Sequence, residues 1–176
     1  MARIAFFVAI ALVSSIVRAG DAEKYIGLVY PPAPSGLIER GGGLAGEDAS
    51  SRALWYAAVE IEGKKMVWLQ REVGRMIETP KDSWPRDRAV WRVEDVLPLP
   101  VVRRGETVHF GNDIECSFRG KADTSIIAVG KWAWRKKQVG GYAHHMRLAW
   151  RIARDIGKFE AIAPRETRCE LNEDRD

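Results

Sequence analysis

Three histidines (His109, His144, His145), two cysteines (Cys116, Cys169) and a group of nearby carboxylates (Asp113, Glu115, Asp123) are the residues whose types could carry chemistry. A histidine beside a carboxylate is the usual general base for activating water. His109 with Asp113 and Glu115 around one turn is therefore the chain's best frame for a hydrolase, its site lying around 109–123. Turn and surface positions account for the same carboxylates equally well. His144 and His145 are adjacent, so in a strand they point to opposite faces and cannot both bind one metal without a bend. The chain has no H-E-x-x-H frame, no G-x-S-x-G and no S-x-x-K. Gly41-Gly42-Gly43 is not followed by the lysine and helix start that a phosphate loop needs. No spacing commits the chain to a reaction: no catalytic residue, metal ligand or cofactor is assigned.

The cysteines have a more specific reading. In an exported chain two cysteines pair, and Cys116 and Cys169 stand 53 positions apart. Closing such a loop stabilises the fold by about 4 kcal/mol in the chain-entropy account. The rival, Cys116 as a nucleophile, needs a base and an orienting partner. No local motif supplies them.

Tryptophan and basic charge supply the third pattern. From Lys131 to Lys158 the basic residues Lys131, Arg135, Lys136, Lys137, Arg147, Arg151, Arg154 and Lys158 face one acid, Asp155, with Trp132, Trp134 and Trp150 among them. Cations interleaved with aromatic rings suit an anionic surface or polymer. Trp132, Trp134, Arg135, Lys136, Lys137, Arg147 and Arg151 are accordingly the candidate ligand-binding residues, with an envelope protein or an anionic polymer as the partner. The competing reading is a sheet whose outer face is simply charged.

Export is read from the first 19 residues. Arg3 gives a positive start, Ile4 to Val17 an apolar run, and Val17-Arg18-Ala19 the small residues that a signal peptidase requires. Cleavage after Ala22 is the alternative site. The apolar run, 14 residues, is short of the about 20 that a membrane span needs. No cysteine follows it to carry a lipid anchor. The expectation is a soluble protein of the periplasm, or one released to the medium, with no membrane span after cleavage. Removing residues 1–19 takes away Arg3 and Arg18, leaving 26 basic against 24 acidic residues. Nearly balanced charge argues against a dedicated nucleic-acid binder, whose affinity rests on many phosphate contacts.

The elements that position these residues read as β throughout. Residues 20–52 hold a short strand near 24–30 and then a Pro/Gly-rich loop. Residues 53–171 form the β-rich domain, and 172–176 a disordered polar tail. Ala53 to Glu62 and Met66 to Arg71 flank Gly63-Lys64-Lys65 as a hairpin; a helix starting near Asp48 competes for the first arm. Gly74 to Arg88, with Pro80 and Pro85, reads as an irregular crossing, and Ala89 to Leu97 as a strand ended by Pro98 and Pro100. Ile114, Cys116 and Phe118 alternate with Glu115 and Ser117, the period of a half-buried strand. With the turn at 119–123 and the β-branched run 124–129, that strand reads as an antiparallel hairpin at the centre of the domain. For 142–159 a hairpin, turning at Asp155-Ile156-Gly157-Lys158, is preferred to a helix. The fold expected is a single all-β antiparallel barrel or sandwich of roughly seven to nine short strands, with one disulfide. The function expected is an exported, non-enzymatic envelope protein that binds through its basic and aromatic face; the small hydrolase is the alternative.

Overall fold

A computed structural model describes residues 21–45, 54–78, 86–110, 114–134 and 141–171, giving the backbone alone for 132–134, 141–145 and 171. The segment read as a signal peptide and the polar tail lie outside these residues. So do Asp113, the turn residues Arg135, Lys136 and Lys137, and the end of the glycine-rich stretch.

The chain is all-β, with twelve strands in two open sheets among the described residues, more than the seven to nine expected. The first sheet runs β1 (Val29–Tyr30), β5 (Arg86–Pro98), β4 (Lys64–Glu78), β3 (Leu54–Ile61), β2 (Ile38–Leu44). The second runs β6 (Glu106–His109), β9 (Ile126–Trp134), β10 (Gly141–Ala153), β12 (Thr167–Leu171), β7 (Ile114–Phe118), β8 (Lys121–Ala122), with β11 (Lys158–Ala161) beside the far half of β10. Every described strand pair is antiparallel. Neither sheet closes into a barrel.

Period-2 alternation explains the layers. Leu54 and Tyr56 of β3, with Val67 and Leu69 of β4, meet Ile127 of β9 and Ile152 of β10 in a core shared by the two sheets. Asp95 of β5 fastens the sheets to each other, accepting from the Phe159 N–H at 2.8 Å and from the Lys158 ammonium at 3.3 Å. The opposite face of the first sheet, Ala57, Val59, Met66 and Trp68, is also buried. Its cover is the segment before β2, whose Tyr25, Leu28 and Leu37 pack against it, with the Tyr25 and Tyr30 rings 5.4 and 5.7 Å from Trp68.

Several expectations hold. β3 and β4 form the expected hairpin, turning at Glu62-Gly63, both at positive φ. β10 and β11 form the second, so the strand reading of 142–159 stands.

Others are corrected. Ile114–Phe118 and Ile126–Trp134 are not hairpin partners: β7 pairs with β12, and β12 and β10 lie between it and β9. The turn at 119–123 folds back only into the two-residue β8. The stretch read as an irregular crossing is strand up to Glu78 and again from Arg86, so among the described residues β4 and β5 continue past Arg71, the partner of Leu54, as a two-stranded ribbon. Gly74 sits in it at a register shift, which a glycine tolerates. Near 24–30 the strand is only Val29–Tyr30, preceded by a 3-10 turn at Glu23–Tyr25. Part of the Pro/Gly-rich stretch is edge strand β2. Glycine is required there: a Cβ at Gly42 would collide with the backbone carbonyl of Tyr56.

Candidate functional site

The structure separates His109 and Glu115 of the hydrolase frame, Asp113 lying outside the described residues. His109 ends β6 and Glu115 lies in β7, with β9, β10 and β12 between them, about 19 Å of sheet at the usual strand spacing. His109 is fully buried, its Nε2 3.4 Å from the Gly130 carbonyl, and burial lowers its pKa below the ordinary histidine value. Glu115 is exposed and sits opposite Glu170. Among the described residues no cluster of histidine, cysteine and carboxylate has the geometry of a metal site.

Cys116 and Cys169 are paired. They face each other across β7 and β12, with a Cα–Cα distance of 4.0 Å, and both are buried. Around them Ile126, Ala128, Met146 and Ala149 form the outer core of the second sheet.

The basic and aromatic stretch is divided. Trp132 and Trp134 lie on β9 by backbone, their side chains not described, and Arg135, Lys136 and Lys137 lie beyond the described residues. Arg147 sits at the register shift between Met146 and Leu148 and chelates Glu106, whose side chain is only 5 % exposed. It is a structural cation. Arg151 stands 3.7 Å from Glu160 beside a shallow cavity of ≈ 360 Å³. In that cavity Asp123 accepts from both the N–H and the hydroxyl of Ser125, an Asx turn that satisfies its own polar groups. Over its described part the stretch thus holds two ion-paired arginines, Arg147 and Arg151.

A larger groove lies at the end of the first sheet, with a volume of ≈ 620 Å³. Three separate segments build it. The β3–β4 turn contributes Gly63, Lys64, Lys65 and Met66, the chain after β5 contributes Pro98 to Val102, and the start of the covering segment contributes Asp21 and Ala22. Pro98 ends β5 because a second proline follows two residues later and neither supplies a ladder N–H; the Leu99 N–H then reaches the Lys65 carbonyl at 3.0 Å. Met66 and Ala22 are buried, Leu99 and Pro100 half-buried, and Lys64 and Lys65 exposed. Lys64 meets Asp21 at 2.6 Å, and this hydrogen bond raises the lysine's pKa and lowers the aspartate's.

An apolar floor with ammonium groups at its mouth can take a ligand with an apolar body and a negative head. The sequence reading saw Lys64 and Lys65 only as part of a turn, and Pro98 and Pro100 only as strand breakers. Two lysines on a tight turn are a signal, but their apolar counterpart is more than 30 residues away in the chain. Comparison of the chain with protein-family models, with curated proteins and with solved structures finds no match.

Proposed function

We propose that the chain is an exported, soluble, non-enzymatic binding protein of the cell envelope, first of the periplasm, that holds an anionic amphiphile in the groove between Lys64, Lys65 and the Pro98–Val102 segment. One observation carries the reading: Met66, Leu99 and Pro100 line the same ≈ 620 Å³ as two exposed lysines. That volume falls in the range of small-molecule sites, which are mostly apolar with a few fixed polar groups. The Cys116–Cys169 bridge suits an oxidising compartment. The class of function is the one expected from composition; the far end of the first sheet is taken as its seat in preference to 131–158 because there cations and an apolar floor line one groove.

Titration calorimetry of decanoate, a simple anionic amphiphile, into the mature protein tests this. Saturable binding is expected, weakened at least about tenfold in K64E/K65E, a loss of about 1.4 kcal/mol or more. Both lysines are exposed, so the double variant should fold as the wild type does. Absence of saturable binding, or equal affinity in the variant, overturns the reading.

A further inference from the structure

Beside the groove, the loop between β5 and β6 holds its apolar residues out toward solvent. Val101 is 88 % exposed and Val102 41 %, and the exposed Arg103 and Arg104 follow directly. Three hydrogen bonds hold this loop in place. The Arg147 guanidinium donates to the Val101 carbonyl at 3.1 Å, the Arg103 N–H donates to Glu106 at 3.0 Å, and the Glu106 N–H closes the turn on the Arg103 carbonyl at 2.9 Å. A half-buried ion pair thus fixes an exposed apolar tip, where a loop with no partner would carry polar residues.

We propose that the Val101–Arg104 tip docks the protein on an anionic bilayer surface, with Lys64 and Lys65 as additional cationic contacts; this rests on the reading of the adjacent groove as a site for an anionic amphiphile. Charge selects the occupant: Arg103, Arg104 and Lys65 are exposed cations flanking the apolar run Pro98–Val102, with Lys64 beside them in its pair with Asp21. Shape selects a deformable one. A protruding valine enters a headgroup layer without a matching pocket, whereas a folded protein partner would need one. Each basic residue near such a surface strengthens binding roughly fivefold, an effect that salt screens. A groove opening beside the tip is then placed where an amphiphile leaves or enters the bilayer.

Co-sedimentation of the full mature protein with vesicles tests the proposal. It should pellet with mixed phosphatidylglycerol–phosphatidylcholine vesicles and much less with phosphatidylcholine alone, and release on raising salt. R103E/R104E should reduce pelleting by about tenfold or more, with melting temperature and decanoate affinity unchanged, and V101D should reduce it comparably with the melting temperature unchanged. No pelleting with anionic vesicles, or pelleting that the substitutions leave intact, overturns it. Decanoate binding without vesicle binding defeats the tip and leaves the groove; vesicle binding without decanoate binding defeats the groove as an amphiphile site and with it the basis of this proposal.

Discussion

Arg147 on β10 reaches past β9 to chelate Glu106 on β6, its Nε 3.0 and 3.2 Å from the two carboxylate oxygens and its Nη2 2.9 Å from Oε2. The same Nη2 holds the Val101 carbonyl. One side chain thereby couples three elements: the centre of the second sheet, its edge, and the loop that borders the groove. Bidentate arginine–carboxylate pairing of this kind is strong because both groups are charged and the fork geometry matches.

The pair predicts a specific acid sensitivity. Hydrogen bonds from Arg147, then from the Arg103 N–H, hold the Glu106 carboxyl at about 2, below its ordinary 4.5. A folded-state pKa lowered in this way adds stability that is present above the ordinary value and lost as pH falls toward the folded one. E106Q should melt below the wild type at neutral pH, and the gap should close between pH 4.5 and about 2. Hydrogen exchange at residues 101–106 should rise in the variant. A gap that does not change with pH would contradict the charge pairing.

At the alkaline end the buried Tyr30 takes over. Its hydroxyl donates a short hydrogen bond to Gln70 Oε1, and burial, aided by the charge of Glu39, pushes its pKa up to about 12. Stability from this group is complete below pH 10 and is lost as pH rises through about 12. Ultraviolet titration should show a tyrosine ionising with a pKa of about 12, and Y30F should remove that step. At neutral pH Y30F leaves Gln70 buried without this partner, a loss of about 1–3 kcal/mol by denaturant melting.

The glycine edge strand makes a graded prediction. At Gly42 an added methyl meets fixed backbone, and at Gly43 it meets the Tyr56 hydroxyl at 2.7 Å, the far end of a side chain. G42A should therefore destabilise more than G43A, by about 1–3 kcal/mol against less than that. Equal values in chemical denaturation would mean that β2 is not seated against β3 as described.

The disulfide should join the peptides around Cys116 and Cys169 in non-reducing mapping, and C116S should lower stability by about 2–5 kcal/mol. Two alkylatable thiols in the folded protein would refute the bridge.

The local parts of this fold were legible, and of the non-local parts the Cys116–Cys169 bridge was, while the strand pairing was not. Glu62-Gly63 and the turn before Lys158 lie between alternating runs, so both hairpins follow from turn chemistry and period alone. The pairing of β7 with β12 joins residues 53 apart, and nothing local to Ile114–Phe118 distinguishes that partner from the nearer β9. Composition misread β2 as loop, because glycine counts against a strand unless a close backbone neighbour demands it. Gly74 and the prolines beyond it likewise masked the extension of β4 and β5. The pairing of Arg147 with Glu106 was not legible, because a sequence does not show that Glu106 faces it across a strand. The groove was invisible for the same reason: its walls come from 21–22, 63–66 and 98–102, and only the sheet brings them together.

Amide NMR mapping of decanoate on the isotope-labelled protein tests the central claim most directly. The account predicts saturable shifts confined to Ala22, Gly63 to Met66 and the amides of Leu99, Val101 and Val102, the residues that line the groove. Shifts that concentrate instead along 131–158, or that never saturate, would contradict it.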